Sequence, residues 1–147
     1  MSASPEVALK PGDRIASPSK TLTDAHFLFF SGLTGDNHPI HYDVEYAAKT
    51  KFGKPLAHGL LLASLTALGA SPASDKIDGF VFIEQGCKFL KAVKVGDTIA
   101  PLLVVEKIWH EGKRQYVRLK TSLTNQHGET VLEGFHVYQI MPRAPAA

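Results

Sequence analysis

The eleven residues from Gly59 to Gly69, Gly-Leu-Leu-Leu-Ala-Ser-Leu-Thr-Ala-Leu-Gly, limit the folds open to this chain more than any other stretch. Read as a helix, the segment is apolar nearly all the way round. A helix of that kind is buried on all sides rather than laid on a surface. Ala63, Ser64 and Ala67 are small enough for a sheet to approach closely. The sheet follows downstream, where residues 79–90, 97–110, 114–125 and 129–141 read as strands. Val117, Leu119, Thr121 and Leu123 alternate there with Arg118, Lys120 and Ser122. Gly96-Asp97, Glu111-Gly112 and His127-Gly128 punctuate them as turns. Four long consecutive strands with tight turns predict an antiparallel meander. With one buried helix to house, the economical answer is an α+β fold in which an antiparallel sheet wraps around a long central helix.

The 147 residues are enough for one domain with one good core and too few for two. Residues 1–12 and 142–147 read as flexible ends, and residues 13–20 as a short first strand. A helix is expected over Thr21 to Thr34. Leu22, Ala25, Phe29, Phe30 and Leu33 recur there at helical spacing, Thr21 with Asp24 has the character of a capping box, and Gly32 and Gly35 end it. Pro39 forbids a regular helix over residues 35–43. Asp43 is placed to cap a short helix from Val44 to Lys49, and Gly53 and Pro55 mark a turn.

Charge and cysteine content exclude several classes. The formal net charge is +2 with no Lys or Arg run, so nucleic acid is not an expected partner. The single cysteine, Cys87, permits no intramolecular disulfide and no C-x-x-C metal motif. The first residues lack the basic and apolar regions of a secretory signal. The longest apolar stretch, Leu60 to Ala70, falls far short of the ~20 residues that span a bilayer. A soluble cytoplasmic protein without membrane partners is expected.

The chemistry concentrates in Gly35-Asp36-Asn37-His38-Pro39-Ile40-His41-Tyr42-Asp43. Taken alone, Asp36 is a turn residue and His41 a core histidine bonded to backbone. His38 and His41, with Asp36, Asp43 and His58 near in sequence, also form a candidate metal cluster. Pro39 prevents a helical H-x-x-H face, however, and no spacing matches a known ligand motif, so no metal is expected. On an ideal helix Asp36 and His41, five apart, would point well over 90° from one another, since each residue turns the chain ~100°. The loop that Pro39 imposes can bring them together.

This stretch resembles the signature of the MaoC-like dehydratases, the R-specific enoyl-CoA hydratase (hydratase 2) group: Gly-Asp, a variable residue, Asn-Pro, an aliphatic residue, then His. The resemblance continues through Ala47, Lys51-Phe52-Gly53-Lys54-Pro55, Ala57-His58-Gly59 with the apolar run after it, and Lys88 to Val93 followed by Val95-Gly96-Asp97-Thr98. It covers residues 20–100 well and the remainder by strand pattern alone. It implies a hot-dog fold. It also implies a homodimer or higher homo-oligomer with sites near the subunit interface. The implied reaction is reversible addition of water to a trans-2-enoyl-CoA, giving a 3R-hydroxyacyl-CoA. Asp36 and His41 are the implied catalytic pair, and Gly59 the implied oxyanion donor at the head of the central helix. Leu60 and Ser64 are expected beside the substrate, and His38 and His58 behind the pair. His38 stands where the signature has Asn, which bears on the hydrogen bonds around the pair and on the acyl group accepted. No cofactor is expected beyond the coenzyme A of the substrate.

The residue types suit that reaction. Hydrating an enoyl thioester requires deprotonating a water at the β-carbon, protonating the α-carbon and stabilising charge on the thioester oxygen. A carboxylate and an imidazole converging on one water meet the first two needs. The unpaired N–H groups that open a helix meet the third. Which of the pair is acid and which base stays open at this level. Two other readings are compatible with the fold. In a hot-dog acyl-CoA thioesterase, water attacks the thioester carbonyl. In a non-catalytic acyl-CoA-binding protein, the site is degenerate. The retained Asp36, His41 and Gly59 weigh against both.

Overall fold

The computed structural model of the protein describes residues 9–72, 76–77 and 79–142. The strands are β1 (Arg14–Ala16), β2 (Lys20–Thr21), β3 (Phe80–Phe89), β4 (Thr98–Glu111), β5 (Arg114–Thr124) and β6 (Thr130–Ile140). The helices are α1 (Asp24–Thr34), α2 (Val44–Ala48) and α3 (Gly59–Ser64), with single 3-10 turns at Pro39–His41 and Leu68–Ala70. The strands pair antiparallel in the order β1-β4-β5-β6-β3, and β2 also pairs with β4. This is the α+β hot-dog arrangement, with the sheet curled around α3.

The four long strands lie within a residue or so of their predicted bounds, because alternation and glycine turns set both pattern and punctuation. The simple meander does not hold. Only β4, β5 and β6 are sequential neighbours; β3 pairs with β6 on the far edge. The segment between β3 and β4 is too long for a tight turn and is spent elsewhere. Ala57 N–H donates to Val93 O (2.9 Å) and Val95 N–H to Pro55 O (3.0 Å), so this segment braces the approach to α3.

The corrections to the helices fall on α3 and α1. The central helix is short: regular α-helix ends at Ser64. Beyond it Thr66 and Ala67 N–H donate to Ala63 O and Ser64 O, three residues back, which tightens the chain into turns. Ser64 Oγ donates to Leu61 O and Thr66 Oγ1 to Ala63 O, both at 2.6 Å. Such hydroxyl bonds compete with the helical ladder. Nor is the segment buried on all sides. Leu61 and Leu62 are buried in a core with Leu22, Phe27, Val93, Ile99, Leu123, Val131 and Leu132. Leu60 is 68% exposed, and Gly59, Ser64 and Ala67 are open with it. In α1 the cap is Thr23, whose N–H donates to His26 Nδ1 (3.0 Å), while Thr21 belongs to β2. The buried side of α1 carries Phe27 and Ser31; Phe29 and Leu33 face outward. Gly35 ends α1 at φ 78°, donating to Ser31 O (2.8 Å).

The expected flexible ends fall mainly on residues 1–8 and 143–147, outside the described residues. Residues 9–12 are not loose. Leu9 is buried and Gly12 N–H donates to Val105 O (2.8 Å). No helix of the described residues is long and apolar enough to cross a membrane.

Where β3 meets β6, Gly134 sits directly against Cys87 and the Gly86 carbonyl, and a Cβ there would meet Cys87 Cβ at 2.7 Å. Neither neighbour is a yielding side-chain tip. Gly134→Ala is therefore expected to lose about 1–3 kcal/mol of stability, seen as a lower thermal midpoint. An unchanged midpoint would contradict this packing.

Candidate active site

The loop after α1 is shaped by its own side chains. His38 is the N-cap of the Pro39–His41 turn, and its Nδ1 accepts the Ile40 N–H (3.2 Å). Pro39 at the first position of that turn costs no hydrogen bond. An Asn would place its side-chain oxygen in the same role. The histidine is thus a substitute cap acceptor, with its ring set against Tyr46 at 5.6 Å. Asp43 Oδ1 caps α2 by accepting Tyr46 N–H (2.9 Å), which anchors the far end of the loop.

The turn brings Asp36 and His41 together. His41 Nε2 lies 4.0 Å from Asp36 Oδ2, too far for a direct hydrogen bond and suited to two groups that share one water. The His41 side chain is 13% exposed and that of Asp36 53%. His41 Nδ1 is 2.8 Å from Leu56 O. A carbonyl only accepts, so Nδ1 carries a ring proton, and in the neutral ring the Nε2 lone pair faces Asp36.

His58 lies behind this pair and is buried. Its ring stacks on His41, centroids 3.7 Å apart and planes 17° from parallel. Its Nε2–H is shared between Ser31 Oγ (3.0 Å) and Asp36 O (3.3 Å), while Nδ1 has no hydrogen-bond partner. Burial, and after it the neighbouring His41 ring, holds His58 below the ordinary imidazole range. The ring therefore stays neutral. It fixes three things at once: the backbone of Asp36, the plane of His41 and the start of α3.

Ligand atoms of Asp36, His41 and His58 lie within 4.8 Å of one another, a spacing a metal ion accepts. Orientation argues against it. Nearly parallel stacked rings send their lone pairs out side by side, so a shared ion would sit out of both ring planes, and His58 Nε2 is already committed.

Gly59 follows His58 and opens α3, so its N–H has no acceptor within the helix. A Cβ at Gly59 would meet the Phe89 ring at 3.3 Å. Gly59 and Phe89 share the lining of a cleft of about 260 Å³, with Phe52, Leu56 and Lys91 around it. Leu60 and Ser64, on the open side of α3, line a separate and larger pocket of about 600 Å³ against Phe82, His136 and Tyr138. Four supports had no reading in the sequence: Ser31, the Leu56 carbonyl, Phe89 and the polar residues of that larger pocket. A polar Ser31 inside an apolar helix was the one available signal. A backbone acceptor such as Leu56 O leaves none. Tyr42 and Tyr46 are half-exposed and belong to neither core cluster.

Fold and site together define a hot-dog protein with a carboxylate–imidazole pair at the entrance to its helix. Residues 7–131 match the family model described as the MaoC like domain, and the chain belongs to that family. It is 32% identical over 121 residues to the (R)-specific enoyl-CoA hydratase of Rhodospirillum rubrum, covering 81% of this chain and 80% of that protein. It is also 32% identical over 117 residues to the 3-hydroxybutyryl-CoA dehydratase of Methylorubrum extorquens, covering 78% and 71%. Among solved structures, the (R)-hydratase from A. caviae involved in PHA biosynthesis superposes with a TM-score of 0.80 at 29% identity, over 92% of this chain and 98% of that one.

Because His38 acts as a cap, His38→Asn is expected to leave thermal stability nearly unchanged, whereas His38→Ala should lower it by about 0.5–2 kcal/mol. Calorimetry of both variants checks this. Equal losses in the two would contradict the capping role.

Proposed function

We propose that this protein is a hydro-lyase that reversibly hydrates a trans-2-enoyl-CoA to a 3R-hydroxyacyl-CoA, with Asp36 and His41 as the catalytic pair. The observation that carries the reading is the 4.0 Å gap between Asp36 Oδ2 and a His41 Nε2 whose lone pair is fixed outward by the Leu56 carbonyl. The similarity to proteins named enoyl-CoA hydratase and 3-hydroxybutyryl-CoA dehydratase supports the reaction class.

In the hydration direction the pair holds one water over the β-carbon. His41 Nε2 is the group with a free lone pair to receive the water proton as the oxygen adds. The α-carbon gains a proton from the same pair, so one proton leaves water, one reaches carbon, and the protein ends as it began. The negative charge that builds on the thioester oxygen falls to the Gly59 N–H, and the lack of a side chain there lets the thioester come close to the backbone. His58 positions both members of the pair. Leu60 and Ser64 flank the acyl group. The proton balance closes without a metal or redox cofactor, and the coenzyme A is part of the substrate.

The proposal extends to a cytoplasmic homodimer that engages neither nucleic acid nor membrane. The dimer is supported by β3, the outer strand of the sheet, which exposes Val81, Ile83 and Phe89 beside the open face of α3. An exposed apolar edge strand is a template for pairing with a second copy.

Loss of the ultraviolet absorbance of the conjugated alkene in crotonyl-CoA measures the reaction. Asp36→Asn and His41→Ala should each lower turnover by about two to four orders of magnitude while circular dichroism stays native. Full activity in both variants sinks the assignment, and release of free thiol without loss of the alkene would mark a thioesterase. Gly59→Ala presses a Cβ onto the Phe89 ring and should lower turnover while Gly59→Pro, which removes the N–H, abolishes it; turnover unaffected by the proline would remove Gly59 from the mechanism.

A further inference from the structure

The pocket of about 600 Å³ begins at Leu60, next to Gly59, and runs along Ser64 and Ala67 to a wall made by β3 and β6. That wall is aromatic. Phe82 meets His136 at 4.8 Å and Tyr138 at 4.9 Å, both edge to face, and Phe80 lies 5.7 Å from Tyr138. A pocket for a plain alkyl chain needs nothing more than such rings. This one also contains an unbroken line of polar groups. Tyr138 Oη is 3.1 Å from His136 Nδ1, His136 Nε2 is 2.9 Å from Thr66 Oγ1, and Thr66 Oγ1 is 2.6 Å from Ala63 O. Thr66, His136 and Tyr138 are all buried, and none of them has a place in the acid–base steps.

The line can be satisfied in two directions. In the first, Tyr138 O–H donates to His136 Nδ1, His136 Nε2–H to Thr66 Oγ1, and Thr66 O–H to the Ala63 carbonyl. Tyr138 oxygen then remains as an acceptor at the pocket end. In the second, Thr66 O–H donates to His136 Nε2 and His136 Nδ1–H to Tyr138 Oη, which frees the Tyr138 O–H as a donor. Ala63 O loses little by the reversal, because it also accepts the Thr66 N–H at 3.2 Å. A neutral imidazole with two tautomers is the group that permits this exchange. Burial keeps both titratable members of the line uncharged, lowering His136 to about 4 and raising Tyr138 to about 12. The line therefore offers a donor or an acceptor on demand but no cation to pair with a carboxylate.

We propose that the Thr66–His136–Tyr138 line is a specificity device that selects enoyl thioesters whose acyl chain carries an uncharged oxygen substituent, a hydroxyl or a keto group, beyond the reacting double bond. This rests on the hydratase reading of the same site. Such an oxygen hydrogen-bonds to Tyr138 Oη at the end of the line in place of bulk solvent. A plain alkyl chain instead excludes solvent from Tyr138 Oη and leaves it only the bond to His136, so its remaining hydrogen-bonding capacity goes unmet, which costs binding.

The test measures kcat/KM for matched 2-enoyl-CoAs of six and eight carbons whose far end is methyl, hydroxyl, keto or carboxylate. The hydroxyl or keto substrate should exceed its methyl counterpart by about three- to ten-fold, the worth of one hydrogen bond, and the carboxylate should be the poorest. In Tyr138→Phe that ratio should fall to about one. A purely structural role for the line lowers all substrates together and leaves the ratio where it was. Thr66→Val interrupts the line at its other end and reports the same ratio if Tyr138→Phe does not fold. A wild-type preference for methyl, or a ratio unmoved in the folded variants, overturns the inference while the hydratase reading stands. If no enoyl-CoA loses its alkene absorbance, the hydratase reading fails and the inference with it.

Discussion

A strongly curled antiparallel sheet is stable only if its concave side is filled, and here the filling is little more than one and a half turns of helix. Leu61 and Leu62 enter the core formed by Leu22, Phe27, Ile99, Leu123 and Leu132. Each buried leucine is worth about 1.5–3 kcal/mol, so the two anchor α3 firmly for its length. The shortness has a consequence. The side of α3 that the sheet does not reach is left as a cleft instead of more core. The same economy places Gly59, the only residue type that allows close approach to backbone at that point, at the mouth of the cleft.

The strands and turns were legible because they obey local rules that tertiary contacts did not override. Alternation in β5 and glycines at the turns fixed both. The β3–β4 connection and the length of α3 were not legible, and the reasons are physical. The eight residues from Leu90 to Asp97 look like a loop in sequence, and only the hydrogen bonds of Val93 and Val95 with the chain ahead of α3 show that they brace its entrance. The helix looked long because every residue to Leu68 favours helix by pattern. The hydroxyls of Ser64 and Thr66 decide otherwise, at the 2.6 Å contacts each makes to a carbonyl three residues back.

The sequence named the residues that the structure brings together at the candidate site but not those that support them. Asp36 and His41 came from the family resemblance and not from their spacing, which on a helix would hold them apart; the loop at Pro39 sets them 4.0 Å from one another. His38 looked like a departure, yet as a cap it keeps an acceptor in the place an asparagine would hold it. The grip on His41 comes from a backbone carbonyl and from the face of a second imidazole. Neither has a sequence signature, since any residue at position 56 brings a carbonyl and a histidine before a glycine can as easily point to solvent. Ser31 could be seen as an anomaly in an apolar helix but not matched to His58, twenty-seven residues away.

The environments of the two histidines and the carboxylate divide the work among them. His58 is dry, and ionising it would strand a charge beside a partnerless Nδ1, so it remains neutral. Its face holds the His41 ring in plane and its N–H holds the Asp36 backbone, both without competing for a proton. Asp36 is the opposite, its carboxylate more than half exposed and well hydrated until something covers it. In the reaction proposed here, an acyl group entering over α3 would displace that water and strengthen the electrostatic coupling between Asp36 and His41. A rigid, uncharged histidine behind and a solvated carboxylate in front would make the proposed pair strongest when substrate covers it. This argues for reading His58 as the positioning residue of the pair and not as a third acid or base.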